Sequence, residues 1–368
     1  MTTSAEDHRA PHLPVAELPR EERMVKRSPP RRSPVMADVA EAAGVSHQTV
    51  SRVLNGHPHV GVKTRARVLE AIEQLGYRRN MAARALVTRR SRTLGVVGFD
   101  TTLHGPASMV YGVEQAARAA GYFVSIVSLK TSAPEETQEA LAYLAGQGVD
   151  GIMLVAPPRP AILALEGLPR GLPMVVMEGG AAERNSTVSV DQGTGARMIT
   201  EHLLALGHET VWHIGGPADV PAAESRAAGW RAALAASGRE IPEPLVGDWS
   251  PRSGYEAGRR LLREPGVTAV FAANDQMALG LLRAVAEAGI RVPAQISVAG
   301  FDDLPESEFF SPPLTTVMQD FEAVGRQGID LLLRLMETGR ATVPEHLVIQ
   351  PRLITRQSTA ALAPCPTG

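Results

Sequence analysis

Residues 46–56 read SHQTVSRVLNG, and the way this short, polar-faced segment is flanked decides the fold of the first part of the chain. Upstream, VMADVAEAAGV places Val35, Met36, Val39, Ala40, Ala43 and Val45 at roughly helical spacing and then breaks at Gly44. Ser46 stands where an N-cap belongs, its hydroxyl able to accept an orphan amide of the first turn, and Val50, Val53 and Leu54 form the buried stripe of a second helix. His47, Gln48, Ser51 and Arg52 are then left facing outward. Downstream, GVKTRARVLEAIEQLGY supplies a third helix, with Val62, Val68, Leu69, Ile72 and Leu75 apolar and Gly76 as its stop. Three short helices closing on one small core over residues 35–79 make a helix-turn-helix domain.

At 368 residues, with 44% apolar content and no run long enough to span a bilayer, the whole chain is expected to fold into two or three domains without a membrane partner. The opening MTTSAEDHRAPHLP lacks the apolar core of a secretory signal, and the single Cys365 excludes an internal disulfide, so a cytoplasmic location is expected. The net charge of −2 hides an asymmetry: residues 1–92 carry 17 Lys and Arg against 9 Asp and Glu, and the other 276 residues carry 20 against 30. A cationic, helical end attracts phosphate, and an acidic remainder limits indiscriminate adhesion to nucleic acid. Residues 1–34, which include KRSPPRRSP, are too poor in large apolar side chains to bury a core and are expected to form a disordered basic tail. That tail either adds nonspecific attraction to DNA or reflects the choice of start, since Met24 immediately precedes the basic run.

After the third helix, RRNMAARALVTRRSRT reads as a short helical piece capped by Asn80 and flanked by arginines, a hinge and linker over residues 80–92. From there strand and helix alternate. LGVVGF, FVSIVSL, GIMLVA, PMVVME and TVSVD are separated by helical stretches, and the pattern restarts with TVWHIGG, PLVGDW, AVFAAN and ISVAGFDD. The helix FEAVGRQGIDLLLRLMETG and a strand LVIQPRLITR close the series. The expected fold class is therefore α/β: a three-helix N-terminal domain, then a two-subdomain core of parallel sheets over residues 93–358. The first subdomain is expected over about 93–204 and 321–340, the second over about 205–320 and 341–358, with a tail at 359–368. Ligands of open α/β sheets bind at the C-terminal strand edges, so the cleft between the subdomains is the expected site.

In this order, DVAEAAGVSHQTVSRVLNG, NMAARAL, HLLALGH, ANDQMALG, ISVAGFDD and PPLTTVMQDF resemble the lactose-repressor (LacI/GalR) family of bacterial transcription regulators, from about Val35 to Gln357. The resemblance implies a periplasmic-binding-protein-like core and a homodimer whose paired helix-turn-helix units read a palindromic, double-stranded operator while the cleft binds a small effector. Gln48 can bond adenine bidentately, Arg52 fits the major-groove edge of guanine, and His47 is the adjacent specificity position. Thr49, Ser51, Asn55, His59 and Lys63 are the implied phosphate positioners. Where the family often has Thr and Tyr near the start of the first helix this chain has Val35 and Ala37, so two phosphate contacts are in doubt. In the hinge, Asn80, Ala83 and Leu86 match family positions, Leu86 being the wedge that opens the operator centre from the minor groove.

For the effector, the resemblance implies Asp191, Arg226, Asn274 and Asp302 as groups that grip sugar hydroxyls, and Trp249 and Phe321 as faces for the C–H side of a pyranose. Leu103 and Pro106 in LHGPAS, with Gln319 and Trp249, bring the chain near the lactose-repressor branch, so a sugar inducer, a β-galactoside, is expected in place of a purine or ribose. No leucine heptads follow Arg356, so a dimer and not a tetramer is expected. Neither a cofactor nor a metal is implied. An enzyme finds little support, because GxSxG, GxxxxGK[ST], HExxH and a close Cys/His cluster are all missing, and Gly215–Gly216 after a strand reads as a tight turn. Other readings are a repressor answering another sugar or a corepressor, and a sugar-binding transport-type protein, which would require export and no DNA-binding domain.

Overall fold

A computed structural model describes residues 34–78, 90–130, 133–165, 171–179, 185–338 and 343–362. The basic tail up to residue 33 and the expected hinge residues Asn80, Ala83 and Leu86 lie outside the described residues. Two compact units divide between Asn80 and Met81.

In the first unit, α1 (Met36–Ala42), α2 (His47–Leu54) and α3 (Val62–Leu75) enclose Val39, Ala40, Ala43, Val50, Val53, Val68, Ala71 and Tyr77. The turn between α1 and α2 runs through Gly44 at φ +60°, and α3 ends at Gly76 in the left-handed region. Asp38 closes the start of α1 by accepting the Val35 amide at 2.7 Å. Two apolar residues expected in the core, Val62 and Leu69, are instead exposed. Val62 is the first residue of α3, and Leu69 sits one place off the Val68–Ala71–Ile72–Leu75 stripe.

The second unit holds two parallel sheets. Chain order runs β1 (Thr93–Phe99), α4 (His104–Ala119), β2 (Phe123–Leu129), α5 (Pro134–Gly146), β3 (Gly151–Val155), α6 (Arg159–Ala164), β4 (Met174–Met177) and β5 (Ser186–Val190). It continues α7 (Gln192–Ala205), β6 (Trp212–Gly215), α8 (Pro221–Ala236), β7 (Leu245–Val246), α9 (Pro251–Leu261), β8 (Ala269–Ala272), α10 (Asp275–Glu287) and β9 (Ser297–Ala299). A 3-10 turn (Pro305–Phe309), β10 (Thr316–Met318), α11 (Phe321–Thr338), β11 (His346–Ile349) and β12 (Arg352–Ile354) complete it. The first lobe carries a six-stranded sheet ordered β2-β1-β3-β4-β5-β11, the second a four-stranded sheet ordered β7-β6-β8-β9, and β10 pairs antiparallel with β12. Strands such as Leu94–Phe99 and Gly151–Val155 are buried throughout, as expected of parallel strands covered on both faces.

The lobe boundaries differ from the expected ones. α7 belongs to the second lobe, since Ala196, Ile199 and Leu203 pack with Val211, Trp230, Phe271 and Phe301, so the chain first crosses at Asp191 and not near residue 204. β11 stays in the first lobe, pairing with β5 from His346↔Thr187 to Ile349↔Val190. The expected single strand LVIQPRLITR breaks at Pro351, which has no N–H to give a ladder, and the chain crosses there. Residues 359–362 are not a loose tail: Thr359 bonds His202 at 3.0 Å, the Ala360 amide reaches Ser297 Oγ at 3.1 Å and the Leu362 amide reaches the Leu206 carbonyl at 2.9 Å.

Close helix packing inside the lobes depends on glycine. A Cβ on Gly254 would collide with Met277 backbone in α10, and one on Gly280 with Pro251 backbone in α9, so these helices approach nearer than any side chain allows. No described helix is long and apolar enough to cross a membrane.

Candidate functional site

Two places collect the candidate functional side chains, one in each unit. In the first unit Ser46 caps α2: the Thr49 amide donates to its Oγ at 3.2 Å and the two hydroxyls lie 2.9 Å apart. His47, Gln48 and Arg52 are exposed on α2, and Gln48 and Arg52, four residues apart, share a face. Thr49 and Ser51 are half-buried, and the exposed Asn55 donates to Ser51 Oγ at 3.4 Å. His59 is exposed with its ring 5.5 Å from His57, and Lys63 is exposed on the first turn of α3. Arg67 holds the turn by donating to the Ala43 and Gly44 carbonyls, a role that an arginine on a mostly polar helix does not advertise in sequence.

In the second unit a cavity of about 330 Å³ opens between the lobes, at the C-terminal ends of both parallel sheets. Asp100 follows β1, Ala156 β3, Glu178 β4, Trp249 lies just beyond β7 and Asp302 just beyond β9; each lines the cavity and each has a positive φ. Non-glycine residues held in that region cluster where function requires a particular backbone direction. Of the expected effector residues, Leu103, Pro106, Arg226, Trp249, Asn274, Asp302, Gln319 and Phe321 line the cavity.

Asp191, expected from the resemblance to grip a sugar, is not among the lining residues. Its carboxylate caps α7, accepting from the Thr194 amide at 2.9 Å and the Thr194 hydroxyl at 2.8 Å. The neighbouring Gln192 reaches the cavity instead, and so does Glu178. Neither is marked by the sequence, because a Gln at a helix start and a Glu at a strand end are ordinary until the crossing strands bring them together.

Arg226 is the centre of this constellation. It is 5% exposed, its Nη1 lies 3.4 Å from Asp302 Oδ1, its Nε donates to Gln192 Oε1 at 2.7 Å, and it also donates to the Ala273 carbonyl. The guanidinium lies 4.0 Å from the Phe301 ring centre and 5.5 Å from that of Trp249. Asn274 caps α10 through its Oδ1, which accepts the Met277 amide at 2.8 Å, and its Nδ2 donates to the Trp249 carbonyl at 3.1 Å. Gln319 Nε2 donates to Asp302 Oδ1 at 2.6 Å. Phe321 closes the first-lobe side, its ring 5.8 Å from His104. The Gly215–Gly216 pair has a specific cause: a Cβ on Gly216 would enter the Trp249 indole, so the glycine seats that ring and is not a simple turn.

Burial sets the protonation states here. Glu178 is pushed up to about 7 by desolvation, against the pull of the Val190 amide, Gln192 and Arg226. Asp302 is raised by burial and held back mainly by Arg226. Behind the cleft, Asp275 accepts from Ser307 Oγ at 2.6 Å, Thr316 Oγ1 at 2.5 Å and the Leu304 amide at 2.9 Å, and burial still lifts it to about 7. The arrangement offers one buried cation, the carboxyls of Glu178 and Asp302 and the amides of Gln192, Asn274 and Gln319 between an indole and a phenyl face. Among the described residues no cluster of His, Cys, Asp and Glu could hold a metal.

Comparison with known proteins covers both units. Residues 35–80 match the model of bacterial regulatory proteins of the lacI family, and residues 200–359 match the periplasmic binding protein-like domain. The lactose operon repressor of Escherichia coli is 36% identical over 88% of this chain and 90% of its own. The regulator CelR of Thermobifida fusca is 40% identical over 89% of this chain and 99% of its own. The chain belongs to the LacI family. The lac repressor dimer solved with operator and the anti-inducer ONPF superposes on this LacI-family regulator with TM-score 0.82 at 34% identity, covering 90% of this chain and 100% of that one. A CelR–cellobiose complex superposes with TM-score 0.67 at 36% identity, covering 88% and 99%. Membership makes the protein a transcriptional regulator with a helix-turn-helix unit, and not an enzyme.

Proposed function

We propose that this chain is a cytoplasmic, homodimeric repressor that leaves a palindromic operator when a β-galactoside enters the cleft. The supporting observation is the buried Arg226–Asp302 pair set beside Asn274 between Trp249 and Phe321. A guanidinium and a carboxylate side by side bind vicinal hydroxyls as donor and acceptor pairs, and the two rings take the C–H face of a pyranose. Glu178 faces the cavity in the part that the resemblance gives to Asp191. On the DNA side, Gln48, Arg52 and His47 read base edges, Thr49, Ser51, Asn55, His59 and Lys63 fix the backbone register, and Leu86, flanked by Asn80 and Ala83, wedges the operator centre. Sugar closure of the cleft changes the spacing of the two hinges in the dimer and opposes their folding on DNA.

A second reading, a β-glucoside as inducer, is favoured by the similarity to CelR, a relative solved with cellobiose. A thermal-shift panel of lactose, a β-thiogalactoside, cellobiose, ribose and a purine base separates them, since a ligand at 100 times its Kd stabilises by about 2.7 kcal/mol. A shift with the galactosides is expected. A shift with cellobiose alone establishes the second reading, and a shift with ribose or the purine alone rejects both.

A further inference from the structure

Gln192 is the first residue of α7, directly after the first crossing between the lobes. It is 5% exposed, and its amide is engaged on both sides. Oε1 accepts from Arg226 Nε at 2.7 Å, while Nε2 donates to Glu178 Oε2 at 2.8 Å and to Gln319 Oε1 at 2.6 Å. Glu178 stands at the end of β4 in the first lobe, at φ +57°, with its other oxygen accepting the Val190 amide at 2.6 Å. Gln319 lies between β10 and α11, where the chain crosses back to the first lobe, and donates onward to Asp302. One side chain therefore ties a first-lobe carboxyl and two crossing segments to the buried cation of the second lobe.

We propose that Gln192 is a positioning residue for the effector: it aims the Arg226 fork into the cleft and carries lobe movement from Glu178 to that fork. The proposal rests on the cleft being the effector site. Gln192 holds Nε, and Asp302 and the Ala273 carbonyl hold Nη1, so Nη2 is the guanidinium nitrogen left toward a ligand among the described residues. An amide of this length accepts from the cation and donates to the carboxyl at once, with no change of protonation. A rotation of one lobe moves Glu178 relative to Arg226 and must stretch the bond that Gln192 makes to one or the other.

The chemistry offers a variant that a merely structural role would not separate. Gln192→Glu keeps size and the acceptor toward Arg226 but sets a second carboxyl against Glu178, with Asp302 and Arg226 facing the pair from the second lobe and His104 of α4 facing Asp302. Two carboxyls in contact share one proton, and that proton restores the missing donor. Glu178 is already raised to about 7 by burial, and the Arg226 guanidinium facing the pair opposes the further rise that a second carboxyl brings, so the shared proton is taken up as pH falls from 8 to 6.

The test is calorimetric titration of wild type, Gln192→Glu and Gln192→Ala with lactose and with cellobiose at pH 8 and pH 6. At pH 8 both variants are expected to bind about 30-fold more weakly, the loss of one hydrogen bond to a charged group. At pH 6 Gln192→Glu recovers most of the loss and Gln192→Ala does not. Affinities within threefold of wild type, or an equal loss at both pH values, overturn the proposal. If wild type binds neither sugar, the proposed inducer fails by itself, and the free proteins decide the relay. The urea midpoint of Gln192→Glu then rises more than that of wild type between pH 8 and 6, and equal rises overturn it.

Discussion

Arg226 and Asp302 are nearly removed from water, 7% and 11% exposed in their side chains, and such a pair is costly to break from one side only. Replacing Arg226 with Met leaves Asp302 and Glu178 as buried acids without a cation, so chemical denaturation is expected to report a loss of about 3 kcal/mol at pH 8. The loss shrinks toward pH 6, where Glu178, raised to about 7 by burial, takes up its proton. Wild type carries its own pH signature. The carboxyls of Glu178 and Asp275 are held at about 7 when folded, above their unfolded values, so their contribution is full in acid and is lost as pH rises through 7. His213 works in the opposite sense: stacked between Trp230 and Phe271 it is held near 4, so its contribution is present above the unfolded value of 6.5 and lost as pH falls through 4. On the alkaline limb, from pH 8 to about 6.5, the two carboxyls therefore make stability rise as pH falls; below 6.5 the imidazole offsets about one of the two, each group contributing a slope of up to about 1.4 kcal/mol per pH unit. Glu178→Gln flattens the alkaline limb, and an unchanged limb in urea melts would contradict these assignments.

At the scale of elements, α2 is legible from sequence because every local rule agrees. Ser46 caps, Val50 and Val53 bury, Gly44 turns, and the remaining side chains have nowhere to face but outward. Arg52→Ala is expected to cost about 1–3 kcal/mol of operator affinity and to relax selectivity at one base position, while Lys63→Ala weakens all sequences alike and lowers the salt dependence; competition binding on an operator library reads both. The cleft is less legible. Strand ends such as GDWS and GFDD announce a site at the sheet edges, yet Asp191, implied as a sugar ligand, caps the helix start, and the unannounced Gln192 beside it reaches the cleft. The subdomain boundaries are harder still. α7 and β11 each carry an apolar pattern that suits either lobe, and only three-dimensional pairing assigns them. Gly216 adds a test of the Trp249 wall: Gly216→Ala pushes the indole out of place and should lower sugar affinity at least tenfold, with the melting temperature as control for folding.

At the scale of the whole molecule, the proposed base-reading helix and the proposed hydroxyl-binding cleft are thermodynamic opponents. Linkage requires the effect to be reciprocal: whatever factor sugar takes from operator affinity, operator takes from sugar affinity. Coupling of this kind is commonly about 1–3 kcal/mol, or roughly 5–150-fold. The most direct measurement is fluorescence-anisotropy titration of labelled operator with the full chain at fixed salt, without sugar and with lactose or a β-thiogalactoside at saturation, using the Arg226→Met protein as control. Operator affinity is predicted to fall by at least fivefold with sugar in wild type and not to change in the control. Affinity that is insensitive to every galactoside, or that rises with one, would contradict the account.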